Sequence, residues 1–220
     1  NRGPNPMDPP LKVVDDLFWM RDDTRKDEEI LQHLRDENDY TQARTAHLDD
    51  FRTSLYDEML SHIQEDDDTF PSPAPDGFEY WSRTVKGAAF RQYLRRPVGA
   101  SKDVEQCYLD VNAVPSLPYF AQVDGWDAAQ CDVTAITPSP SGGTLAYCVD
   151  GSGYETYNIR LKDLSSGAEL TETIVDTAGS VAWAGEEMLF YVRFDAAHRP
   201  HQVCVSSVGL WRAHPRLRLR

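Results

Sequence analysis

A serine between two glycines, Gly151-Ser152-Gly153, and a close pair of histidines, His198 and His201, are the residues whose types could perform covalent chemistry. A serine hydroxyl becomes a nucleophile only when a base lies against it and a strained turn holds it clear of its strand. The Gly-x-Ser-x-Gly elbow that supplies such a turn occurs nowhere in the 220 residues. Gly151 to Tyr154 and Ser166-Gly167 sit between strand-like runs and read as turns. His198 and His201 flank Arg199-Pro200 and read as a loop, while His33, His47 and His62 fall in helical patterns. No catalytic residue is assigned. The run Glu65-Asp66-Asp67-Asp68 lacks the alternating order and the terminal Glu of a calcium loop, so a solvated linker is the better reading. Cys107, Cys131, Cys148 and Cys204 are widely scattered with no C-x-x-C pair, which argues against zinc and for free thiols in a reducing, cytoplasmic setting. No metal and no cofactor is expected.

The elements that would carry these residues change character near position 70. Residues 1–68 hold 19 acids against 8 bases, most of the net charge of −14. Asp27-Glu28-Glu29 places acids where a helix dipole is positive, and apolar residues then recur at helical spacing. Ile30, Leu31 and Leu34 mark a helix over 27–47; Phe51, Leu55, Met59 and Ile63 mark a second over 50–64. Each has one apolar stripe and needs a partner surface. Pro71, Pro73 and Pro75 then exclude helix. From Phe78 onward the pattern is strand: 78–83 and 90–96 flank the Lys86-Gly87 turn, followed by 106–110, 133–136, 145–149 and 156–161.

A repeat runs through this second half. Leu145-Ala146-Tyr147-Cys148 aligns with Leu189-Phe190-Tyr191-Val192, a period of 44 residues. Short strands at that period fit β-propeller blades, with a meandering sandwich as the alternative. Trp19, Trp81, Trp126 and Trp183 are expected in the core or in seams, since an acidic chain offers no basic groove for base stacking. The same charge argues against nucleic acid and anionic membrane surfaces as partners, and no apolar run is long enough to span a bilayer.

Several stretches, in order, carry a closer likeness. Phe18-Trp19-Met20-Arg21-Asp22-Asp23-Thr24-Arg25-Lys26-Asp27 resembles a segment near the N-terminus of the oligopeptidase B branch of the prolyl oligopeptidase family of serine peptidases. Leu34 to Tyr40, Tyr56-Asp57-Glu58-Met59-Leu60 with Ile63, and Tyr80-Trp81-Ser82-Arg83-Thr84 follow in the family's order. Tyr154-Glu155-Thr156-Tyr157 with Lys162 to Gly167 resembles one blade. Ser180 to Trp183, Phe190-Tyr191-Val192-Arg193 and His198-Arg199-Pro200-His201-Gln202-Val203 resemble the next. The likeness spans about 11–208.

The resemblance implies a seven-bladed propeller capping an α/β-hydrolase domain, along which the helical segment lies. It implies peptide substrates cleaved after Arg or Lys, with the catalytic serine, aspartate and histidine in the hydrolase domain and none of them here. The expected fold is therefore α+β by content: a helical extension with acidic linker over 1–70, then an all-β partial propeller, its first blades, over 71–208. Prolyl oligopeptidase proper, with post-proline specificity, shares that architecture. The chain starts without Met and is expected to be a piece of the enzyme, silent by itself. A non-catalytic propeller that binds peptides or proteins is the alternative. Residues 124–132 match poorly. Residues 209–220 hold four Arg and no acid and fit no blade, which leaves an interrupted reading frame near 206 or a functional basic tail.

Overall fold

The computed structural model describes residues 8–9, 13–114 and 132–208. Trp126, Cys131 and the basic tail over 209–220 lie outside the described residues. The chain divides into two compact units, Asn1–Ile63 and Gln64–Arg220.

The first unit is helical. Its entry loop is organised by the Asp22 carboxylate, which accepts hydrogen bonds from the Thr24 hydroxyl and from the backbone N–H groups of Thr24, Lys26 and Asp27. Those donors, the Thr24 hydroxyl foremost, hold its carboxyl well below the ordinary range. Asp27 then caps α1 (Glu28–Thr45), its carboxylate accepting from Glu29 N at 3.0 Å and Ile30 N at 3.4 Å. A short 3₁₀ turn over Ala46–Leu48 leads into α2 (Asp49–Ser61). Neither helix contains a buried residue, and Leu34, Phe51, Leu55, Met59 and Ile63 stand exposed. The apolar stripes expected from the periodicity are present and uncovered.

The second unit is built of antiparallel strands, as expected. β3 (Phe78–Thr84), β4 (Gln92–Pro97) and β5 (Gln106–Asp110) form a meander, with the β3–β4 hairpin where Lys86-Gly87 predicts it. Two short pieces, β1 (Asp67–Asp68) and β2 (Ser72–Pro73), pair with β3 on its other edge. The acidic run therefore differs from the expected solvated linker: residues 67–73 form the first strand of this sheet, broken in the middle where Pro71 cannot donate a ladder bond.

β6 (Asp132–Pro138), β7 (Thr144–Asp150), β8 (Tyr157–Asp163), β9 (Glu169–Ala184), β10 (Met188–Phe194) and β11 (Pro200–Ser207) run as one continuous ladder. Physically this ladder is two sheets. β8 pairs with β9 over 169–177, whereas β10 pairs with it over 177–184. Between those halves Asp176 (φ 59°) and Gly179 (φ 74°) take left-handed backbone, which turns the strand from one sheet into the next. The result is two four-stranded blades followed by three strands of a third: a partial β-propeller, in which Tyr147 and Tyr191 occupy equivalent strands.

Two apolar clusters hold the blades face to face. Tyr108, Leu109 and Val111 of the first meet Leu145, Tyr147 and Val149 of β7; Ala146 and Cys148 of the same strand meet Ile174, Leu189 and, more peripherally, Trp183. Successive strand residues point to opposite faces, so β7 is buried on both. Leu145, Ala146, Cys148 and Val149 have no exposed surface. Burial alone pushes the Cys148 thiol up to about 12.

Candidate functional site

Among the described residues the serine and histidine side chains are not assembled for nucleophilic catalysis. The Ser152 hydroxyl donates to Asp150 at 2.7 Å, and the same carboxylate accepts from the backbone N–H groups of Ser152, Gly153 and Glu155. This serine is a turn residue. His198 (φ 58°) stacks on Phe194 at 4.0 Å and meets the edge of Tyr154 at 5.3 Å; His33 lies 5.2 Å from Trp19. Among the described residues no group of three His, Cys, Asp or Glu side chains could hold a metal ion.

The polar chemistry lies in the seam between the first two blades. Arg95 is 5% exposed, a buried cation with no carboxylate in ion-pair contact among the described residues. Its Nε donates to Gln106 Oε1 at 2.9 Å, its Nη1 to the Gly142 carbonyl and its Nη2 to the Leu164 carbonyl at 3.3 Å. Gln106 Nε2 donates to that same Leu164 oxygen at 2.9 Å. Two residues of the first blade thus grip two turns of the second. Beside them the Tyr80 hydroxyl donates to Asp76, and burial together with that carboxylate pushes the phenol up to about 12. Gly142 (φ 69°) is required here, since a Cβ would stand 2.8 Å from the Asp76 carboxylate. A cleft of about 250 Å³ opens over this cluster, walled by Pro75, Pro138, Pro140 and the Tyr80 ring.

The seam between the second and third blades has polar links of its own. Trp183 Nε1 donates to the Thr137 carbonyl at 2.9 Å, and the Ser141 hydroxyl to Glu186 at 2.6 Å. Trp81, 6% exposed, lies under the Arg96 guanidinium at 5.3 Å on the other face of the first blade. These two tryptophans occupy the places expected of them; Trp19 is half exposed.

Two acids of the run, Glu65 and Asp68, meet bases. Arg83 forks between Asp68 (2.6 Å) and Glu105 (2.7 Å), and Lys86 reaches Glu65 at 3.0 Å. A polar cleft of about 460 Å³ lies against Asp66, Asp67, Asp68 and Arg83. Sequence reading missed Arg95, Gln106, Asp76 and Tyr80. The available signal was Arg95-Arg96 inside a strand, where alternation must send one guanidinium to each face.

Four-stranded antiparallel blades stacked through apolar faces define a β-propeller, and the comparisons with known proteins identify its class. The chain matches the model of the N-terminal β-propeller domain of prolyl oligopeptidase over residues 1–212, and it belongs to that family. Dipeptidyl aminopeptidase BI of Pseudoxanthomonas mexicana is 31% identical over 196 residues, which are 82% of this chain and 26% of that protein. Oligopeptidase B of Leishmania major superposes with a TM-score of 0.81 at 35% identity, over 94% of this chain and 28% of that one. Oligopeptidase B of Trypanosoma brucei, with covalently bound antipain, gives 0.79 and 35% over 95% and 28%. The chain spans about a quarter of the length of these relatives.

Proposed function

We propose that this chain is the propeller portion of an oligopeptidase B-like serine peptidase that cleaves short peptides after Arg or Lys. Its blades restrict substrate size, and its uncovered helical stripes seat on an α/β-hydrolase portion that carries the catalytic residues. The observation that carries the reading is the 35% identity maintained along 94% of the chain with oligopeptidase B. The setting in this reading is the cytoplasm. Among the described residues no helix is long and apolar enough to cross a membrane.

The test has two arms. The chain alone, incubated with an arginine ester or amide, is expected to give no turnover sensitive to serine-directed inhibitors. Fused to the hydrolase portion of an oligopeptidase B, it is expected to restore cleavage after Arg and Lys and none after Pro. Turnover by the chain alone, or post-proline cleavage by the fusion, overturns the reading.

A second reading, a non-catalytic module that binds peptides or proteins, is favoured by one observation. The outer face of the third blade presents Phe190, Val192, Val203 and Val205 with no blade over it among the described residues. A cooperatively unfolding monomer in size-exclusion chromatography supports that module, and aggregation supports a portion that lacks its covering surface.

A further inference from the structure

Corresponding turns of the first two blades repeat one motif. Pro73-Ala74-Pro75-Asp76-Gly77 leads from β2 into β3, and Pro138-Ser139-Pro140-Ser141-Gly142 leads from β6 into β7. In the second copy Ser141 spends its hydroxyl across a seam, donating to Glu186 of the third blade at 2.6 Å. In the first copy the same position is an acid. Asp76 also faces the next blade, since a Cβ at Gly142 would stand 2.8 Å from its Oδ2. Its hydrogen bonds nevertheless stay at home: it accepts from Phe78 N at 2.9 Å and from the Tyr80 hydroxyl at 2.5 Å. A carboxylate offers about four lone pairs, so two remain unspent. Among the described residues no Lys, Arg or His pairs with it.

Asp76 is half-buried and lines the cleft of about 250 Å³ in this seam, with the Tyr80 ring, Pro75, Pro138 and Pro140 as its neighbours there. Pro75 and Pro140 are exposed, and the cleft opens to solvent. Tyr108 meets the Tyr80 ring edge-on at 5.5 Å and holds it in place. Arg95, the buried cation of this seam, does not line the cleft; its Nη1 and Nη2 go to the Gly142 and Leu164 carbonyls. The cleft therefore presents apolar walls and one carboxylate that no cation contacts. Its volume is below the ~300 Å³ at which small-molecule sites begin, so it suits one side chain.

We propose that this cleft between the first and second blades binds an organic cation of a peptide, with Asp76 as its counter-ion. A Lys or Arg side chain brings an aliphatic stem that lies along prolines and an aromatic ring while its charged head reaches a carboxylate. The head gains a charge-assisted hydrogen bond to Asp76, and the Tyr80 ring beside it favours a positive charge over its face. The net charge of −14 draws cations toward the chain, an attraction that salt screens. A peptide N-terminus offers the same charge without the stem; the chemistry is shared. The site is read by binding alone, so it can fail or stand apart from cleavage after basic residues.

The test is an NMR titration of the isotopically labelled 220-residue chain, read at the amide signals of Gly77 and Gly142, with that of Asp67 in the acidic run as control. The probes are the acetylated methylamides of lysine, arginine and norleucine, and Ala-Ala-amide with its free amine. Saturable shifts at Gly77 and Gly142 are expected with a cationic probe and none with norleucine, which has the stem but no charge. A response to lysine or arginine alone assigns the side chain, and a response to Ala-Ala-amide alone assigns the N-terminus. Asp76→Asn, which keeps an acceptor but not the charge, is expected to bind about tenfold more weakly. If that variant does not fold, the norleucine comparison and the weakening of binding at high salt decide the matter on the unaltered chain. Equal binding of norleucine, unchanged binding by Asp76→Asn or at high salt, shifts as large at Asp67 as at Gly142, or no saturable shift overturns the proposal.

Discussion

The two outermost faces of the blade stack end in opposite ways. The outer face of the first blade is finished with ions: Arg83 forks to Asp68 and Glu105, and Arg96 pairs with Glu79 while covering Trp81. The outer face of the third blade carries Phe190, Val192, Val203 and Val205, with Val203 60% exposed. Both belong to one repeat architecture, so architecture alone does not decide how a face ends. A face finished with ion pairs tolerates water, whereas an apolar face of this kind is written for burial. Between them β7 is buried on both sides.

That contrast can be broken most severely at its centre. Leu145→Ala, at a side chain with no exposed surface, is expected to cost about 2–5 kcal/mol in chemical denaturation, whereas Val203→Ala on the open face changes stability by less than about 0.5 kcal/mol. Next in size is Gly179→Ala. Its φ of 74° disfavours any Cβ, and the added atom would stand 2.6 Å from the Tyr157 ring, so a loss of about 2–3 kcal/mol is expected. The same change at Gly185 (φ 67°), which faces open space, isolates the backbone part at about 1 kcal/mol.

Arg95→Met tests the polar seam. It leaves the Gly142 carbonyl without this donor inside the protein, with an expected loss of about 1–3 kcal/mol. The change is predicted to raise amide hydrogen exchange in the Ser139–Gly143 and Leu164–Gly167 turns more than in β10.

The smallest effect is expected at the ionic face. Arg83→Met should cost about 0.5–1 kcal/mol, less at high salt. The pH dependence has a definite sign. The Asp68 and Glu105 carboxyls are both held below their ordinary values, in each case chiefly by the hydrogen bond from Arg83. Their stabilisation is complete above the pH where free carboxyls ionise, and it is lost as pH falls through the lower folded-state values. Arg83→Met should therefore flatten the acid limb of the stability curve. An unchanged acid limb would show that the ion pairs do not finish this face.

Much of this organisation could be read from the residues, for identifiable reasons. α1 announced itself through the Asp27 cap and the acids behind it, and the repeat through Tyr147 and Tyr191 in equivalent strands. The acidic run was misread because four carboxylates in sequence suggest hydration, and nothing local reveals that Arg83 and Lys86 come back to meet them. The first half of β9 stayed hidden because Glu169, Thr171, Glu172 and Thr173 leave only Leu170, Ile174 and an exposed Val175 as apolar markers, without clean alternation. Arg95 was illegible as a tie between blades because its acceptors are backbone carbonyls of two turns, and carbonyls carry no sequence signature.

β9 has a consequence for how this molecule could be altered. One uninterrupted backbone serves as the last plank of one blade and the first of its neighbour, with Thr177 fully buried at the changeover and bonded to Tyr157. Extra residues spliced in at that point would unzip pairing on both sides at once. The Ser165-Ser166-Gly167 tip, whose own bonds stay within the Asp163–Ala168 loop, would absorb the same graft by lengthening outward. Graft tolerance along this chain should accordingly follow the turns inside each blade and vanish at the crossing between blades.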